Sequence, residues 1–238
     1  MKPISKLCLA SLISFAMVGA AAAATMNANQ AAAYIATARI TSEGAWEGKN
    51  ALVAVVPGPK NSWKLEVWGK AGDGYTLLAS APSAGCMDCS GPSRKPNPSK
   101  AWFSDGTLNV EYQGGGSGAG FWAWRSTWGT DPVMGGARAL ATQRIGADGH
   151  SDTRHALVNF VDGTRMERTM LDGSIKTLAC RAAIAKLPAF SDLSLSALFD
   201  GTLEPECLSG TETGDPLGSA PALGSGNLDL MRRSSPKQ

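Results

Sequence analysis

Asp-Gly recurs six times in this chain, at Asp73-Gly74, Asp105-Gly106, Asp148-Gly149, Asp162-Gly163, Asp172-Gly173 and Asp200-Gly201, and no other feature constrains the fold as strongly. The tight turn that joins two antiparallel strands needs φ > 0 at its central positions, which Asp tolerates and Gly adopts freely. Between these pairs, apolar and polar residues alternate with period two, the mark of half-buried strands. In residues 63–69, WKLEVWG, Trp63, Leu65 and Val67 share one face while Lys64, Glu66 and Trp68 share the other. Residues 51–58 form an apolar strand stopped by Pro57-Gly58-Pro59, and residues 74–81 form another. After Asp105-Gly106 a strand sets Leu108, Val110 and Tyr112 together, and residues 155–182 read as three antiparallel strands joined by two turns. The expected class is all-β, a mainly antiparallel meander or sandwich-like sheet with short helices near the N- and C-termini of the domain.

The ends of the chain set the domain limits. Lys2 and Lys6 precede an apolar run over residues 7–18, and Ala22-Ala23-Ala24 supplies small residues for cleavage. This is the pattern of a secretory signal peptide over residues 1–24, and the run is short of the roughly 20 residues a membrane span needs. No transmembrane anchor is expected after cleavage. Residues 25–30 read as polar and loose. The alanines of residues 31–40 favour a short helix, with the entry to a first strand as the competing reading. Ser191 can cap a short helix running to Phe199, with Gly201 beyond its end. Residues 31–208 are expected to form one β-rich domain, and residues 209–238, poor in large apolar side chains, a disordered tail.

Charge and cysteines narrow the class further. The chain has 22 Lys+Arg against 20 Asp+Glu, and removal of Lys2 and Lys6 with the leader equalises them. Nucleic-acid binding requires a phosphate-neutralising surface, which this balance does not provide. The nearest basic cluster, Arg94, Lys95 and Lys100, sits in a proline-rich stretch and reads as a solvated loop. Cys86, Cys89, Cys180 and Cys207 remain after the leader, and an even number in an exported chain argues for disulfides. Three pairings are open; Cys86–Cys89 with Cys180–Cys207 is the simplest. A periplasmic or secreted location follows from this reading.

The stretch QGGGSGAGFWAWRSTWG, residues 113–129, raises the question of a ligand loop. A phosphate loop needs Gly-Lys-Ser/Thr opening a helix, and a dinucleotide fingerprint needs a βαβ unit. Neither context exists here, so no cofactor is expected. Ser117 lacks the final glycine and the helix of a nucleophile elbow. The following strand places Trp122, Trp124, Ser126 and Trp128 on one face and Phe121, Ala123, Arg125 and Thr127 on the other. Trp122, Trp124 and Trp128 are therefore the candidate ligand-binding residues, a stacking platform for sugar rings; the competing reading makes them core packing. Arg125 reads as a surface residue.

Other chemistry is weakly marked. Cys86-Met87-Asp88-Cys89 has redox spacing, but Ser90-Gly91-Pro92 follows where a helix would be needed to lower a thiol pKa. His150 and His155, with Asp152 between them, lie near a turn, but His150 falls in the turn while His155 begins a strand, and no metal is expected. Glu66, Glu111 and Glu167 lie in strands, where one facing a cleft would serve as an acid.

Three stretches, LLASAPSAGCMDCSG (77–91), GTLNVEYQGGGSGAGFWAWRSTW (106–128) and SDTRHALVNFVDGTRME (151–167), together resemble a class of uncharacterised exported bacterial β-rich proteins with a GGS turn before an aromatic strand. The likeness covers residues 51–180. Gly118-Ala119-Gly120 departs from the tighter spacing of that class. The resemblance implies export and a β-rich fold, and carries no activity. The leading expectation is an exported, non-catalytic binding protein of the bacterial cell envelope, its partner an envelope protein or glycan. The alternatives are an envelope hydrolase using a His or a strand Glu, and a structural envelope protein.

Overall fold

In the computed structural model the described residues are 24–87, 97–115, 120–130, 136–147, 153–171, 174–194, 196–197 and 200–213. The alternating segments become two antiparallel sheets. The first has five strands: β1 (Thr25–Met26), β2 (Ile40–Trp46), β3 (Lys49–Pro57), β4 (Ser62–Ala71) and β5 (Gly74–Cys86), in spatial order β1-β5-β4-β3-β2. The second has eight: β6 (Pro98–Ser104), β7 (Thr107–Gly115), β8 (Phe121–Thr130), β9 (Ala137–Ala147), β10 (Thr153–Asn159), β11 (Thr164–Leu171), β12 (Ser174–Ala182) and β13 (Cys207–Thr213), side by side in chain order. The sheets meet where β2 approaches β6: a Cβ on Gly44 would lie 2.6 Å from Phe103 Cβ, so only glycine fits there.

Turn chemistry explains the hairpins. Asp105-Gly106 has φ of 51° and 74°, and Glu47-Gly48 has 51° and 76°, so both central positions of β6–β7 and β2–β3 are left-handed. At β4–β5 the turn falls on Gly72-Asp73, and Gly74 already begins β5. Asp162-Gly163 closes β10–β11 as part of a longer turn between Asn159 and Thr164. Asp200-Gly201 joins no strands. Asp148-Gly149 and Asp172-Gly173 lie outside the described residues.

One core joins both sheets, with Val53, Val55, Leu65 and Val67 facing Leu108, Val110, Tyr112, Trp124 and Trp128. The outer face of the first sheet is covered by α1 (Ala28–Ala36), which begins at a capping box: Gln30 N donates to Asn27 Oδ1 and Asn27 N donates to Gln30 Oε1. Ala31, Tyr34 and Ile35 pack there on Leu52 and Trp68. This second layer is why β3 is buried on both faces from Ala51 to Val56.

Between β12 and β13 the chain leaves the sheet. Residues 183–206 cross the core, burying Phe190, Leu193, Ala197 and Leu203. Phe190 sets its ring edge-on to Trp128, 5.1 Å between centroids, and bridges link Ser194 to Ser83 and Ala189 to Arg138. The Cys180–Cys207 disulfide ties together the two ends of this excursion. Cys86 is disulfide-bonded as well, and Cys89 lies outside the described residues.

Three expectations change. Residues 25–30 are ordered: β1 pairs with β5 and Asn27 caps α1. Among the described residues of the expected helix from Ser191 to Phe199 there is only the end of a 3-10 turn at Phe190–Asp192 and a turn at Ser196 and Ala197, because Phe190, Leu193 and Ala197 are drawn into the core. Residues 209–213 belong to β13, paired with β12, rather than to a disordered tail. The leader (residues 1–23) and residues 214–238 lie outside the described set. Among the described residues no helix is long and apolar enough to cross a membrane.

Candidate functional site

The residues singled out for chemistry fall on three separate surfaces. Glu66 sits under α1, where it accepts a short hydrogen bond from Tyr34 Oη and pairs with Lys64 Nζ at 2.7 Å. Glu111 is on the outer face of the second sheet, buried and paired with Arg125 Nη2 at 3.2 Å. Arg125 is therefore not a surface residue: it is buried, with its guanidinium 4.8 Å above the Trp102 ring. Glu167 is on the inner face, bonded to Arg154 Nε at 2.6 Å and Arg165 Nη2 at 2.9 Å. Burial raises the Glu167 pKa, but the two guanidiniums outweigh it and hold the carboxyl below its usual range. No two of these glutamates face one cleft.

His155 lies half-buried on the outer face of β10. Burial and the neighbouring Arg168 push its pKa down, and its Nδ1 has no hydrogen-bond partner among the described residues. Its expected companions His150 and Asp152, like Ser117, lie outside the described residues, as do Arg94 and Lys95. Among the described residues no three His, Cys, Asp or Glu side chains gather to hold a metal.

The tryptophan strand divides. Its alternation holds, but the shared face is the core face. Trp124 and Trp128 are 3 % and 0 % exposed, and Trp128 Nε1 donates to Ser126 Oγ at 2.7 Å. These two cannot stack a ligand, because the first sheet and the crossing segment already cover them; the three-residue platform is corrected to a core pair plus Trp122. Trp122 stands near the start of β8, partly buried and packed against the edge of the core. Its indole sits against Gly114: a Cβ there would come within 2.1 Å of Trp122 Cζ2. This answers part of the question raised by the glycine run. Gly114 makes room for a ring, and Gly115, at φ 118°, turns the chain where a Cβ would strike the Gly120 carbonyl. Gly116 lies outside the described residues.

The sheet register builds the surroundings of Trp122. Reading across the strands, Gly114, Trp122, Gly146, Arg154, Thr169 and Lys176 form one row on the inner face. The next row inward is Tyr112, Trp124, Arg144, Ala156, Glu167, Leu178 and Glu212. Gly146 separates Trp122 from Arg154, and among the described residues nothing lies within 4 Å of where its Cβ would be. Two strand spacings, about 10 Å, therefore part the two side chains' backbones.

Behind this row the crossing segment is clamped by charge. Glu204 bridges Arg144 Nη1 at 3.1 Å and Arg165 Nη2 at 3.3 Å, Arg165 Nη1 donates to the Pro205 carbonyl, and Thr142 Oγ1 donates to the Leu203 carbonyl. Arg144 and Arg154 keep 48 % and 61 % of their side chains exposed. The sequence reading passed over Arg144, Arg154 and Lys176. The signal was the alternation Thr142-Arg144-Gly146 within ARALATQRIGA, masked by its alanines.

No protein-family model, curated protein or solved structure matches this chain.

Proposed function

We propose that this chain is an exported, non-catalytic binding protein of the bacterial cell envelope, and that its ligand is a glycan taken at Trp122. The observation that carries the reading is the partly exposed indole of Trp122 beside Gly146, where among the described residues nothing lies within 4 Å of a would-be Cβ, on a sheet whose neighbouring side chains are polar. Aromatic faces stack on the apolar faces of planar rings, and a few polar groups fix orientation. Support against an enzyme comes from the strand glutamates, each committed to an ion pair on a different surface. The disulfide between Cys180 and Cys207 agrees with an oxidising compartment.

The test is cosedimentation of the full chain with purified peptidoglycan, comparing wild type with Trp122→Ala. Binding by the wild type and its loss in a variant with an unchanged near-UV spectrum is the expected result. Equal sedimentation of both proteins, or of neither, overturns the reading.

A further inference from the structure

Among the described side chains around Trp122, cations outnumber carboxylates. The described charged side chains of the patch are the cations Arg144, Arg154, Arg165 and Lys176 and the carboxylates Glu167 and Glu204. Their distribution matters more than their sum. Arg165 is buried and saturated by Glu167, Glu204 and the Pro205 carbonyl. Arg154, by contrast, spends its Nε on Glu167, and its Nη1 and Nη2 make no hydrogen bond among the described residues. That pair of N–H groups is the fork that recognises a carboxylate bidentately. Lys176 lies two strands beyond Arg154 in the same row and is exposed.

We infer that the glycan bound here is acidic: a sugar ring rests against Trp122 over Gly146 while a carboxylate on the same or the adjoining residue is held by the Arg154 fork, with Lys176 and Arg144 meeting further acid groups along the chain. This rests on the glycan reading above. The crossing segment supplies an internal precedent for the chemistry, since the Glu204 carboxylate is itself clamped between Arg144 and Arg165 one layer deeper. A neutral glycan would satisfy Trp122 but leave the fork without a partner. An acidic peptide would satisfy the fork but not the indole and the open floor beside it.

The experiment uses calorimetric titration of the full oxidised chain with a hexasaccharide of alternating glucuronate and N-acetylglucosamine, the same hexasaccharide carboxyl-reduced to its neutral form, and poly-glutamate. The acidic sugar is expected to bind about tenfold more tightly than the reduced one, the size of one charge-assisted pair. Arg154→Gln and Lys176→Gln, both at exposed positions, should narrow that ratio toward one by weakening the acidic sugar more than the neutral one. Trp122→Ala should weaken both sugars alike, and Trp122→Phe, which keeps an aromatic face, should restore part of the loss. Equal binding of the two sugars, lost in the Trp122 variant, overturns the acidic preference and leaves the glycan reading standing. Acid binding indifferent to Trp122, or poly-glutamate binding as tightly as the acidic sugar, overturns both, as does no binding of either sugar.

Discussion

Replacing Cys180 and Cys207 by alanine cuts the covalent tie at the base of the crossing segment and leaves every large core side chain in place. The two cysteines are separated by 27 residues in sequence. For a loop of that length the chain-entropy relation gives a loss of about 3.5 kcal/mol at 25 °C, through a larger unfolded ensemble rather than through weaker native contacts. Two signatures follow. In urea unfolding followed by tryptophan fluorescence the midpoint falls, and the slope m rises because the uncrosslinked chain exposes more surface. The near-UV spectrum in the absence of urea stays that of the wild type, since Phe190, Leu193, Ala197 and Leu203 remain buried. A loss under about 1 kcal/mol would refute the entropic account. Loss of the aromatic near-UV bands before the main transition would refute the claim that packing holds the segment once the bond is gone.

Other predictions follow from single contacts. Arg125→Met leaves Glu111 buried without its ion-pair partner and should cost about 3–5 kcal/mol, most of it recovered in the Arg125→Met, Glu111→Leu double variant, read by chemical denaturation. His155 has a folded pKa below its unfolded value, so its contribution to stability is present above pH of about 6.5 and is lost as pH falls through the folded pKa. His155→Gln should flatten that part of the stability–pH curve, and an unchanged slope would remove His155 as its source. Gly114→Ala places a Cβ 2.1 Å from the Trp122 ring, which must swing away; a cost of about 1–3 kcal/mol, a shifted fluorescence maximum and weaker glycan binding are expected together.

Much of the architecture is legible in the chain because turn chemistry and period-two alternation are local codes. Asp105-Gly106 adopts the left-handed pair its residues favour, and the three strands around Asp162-Gly163 pair as their alternation demands. Where the expectation misses, the deciding contact is distant. Between Ile40 and Trp46 β2 carries only polar and small residues, and it is a strand because β3 pairs with it. Ser191 and its neighbours carry helix-start residues, yet the core of the two sheets draws Phe190 and Leu193 inward around a single 3-10 turn. β13 is specified by its partner β12 and by Cys207, not by its own sequence of Gly, Ser and Thr. The site follows the same division. The aromatic strand was visible, but which tryptophans it buries depends on the first sheet covering Trp124 and Trp128. The guanidiniums beside Trp122 come from strands whose alanines hide their alternation.

The order of the strands has a consequence for how the molecule comes together. Every strand of the larger sheet pairs only with its neighbours in sequence, so the ladder can zip hairpin by hairpin as an exported chain emerges, at little cost in loop closure. The crossing segment cannot form that way. It must reach back to Ser83 on β5 of the other sheet, a contact that forms only once both sheets are in place. Assembly should therefore run at two tempos, a quick meander followed by a slower insertion of this segment.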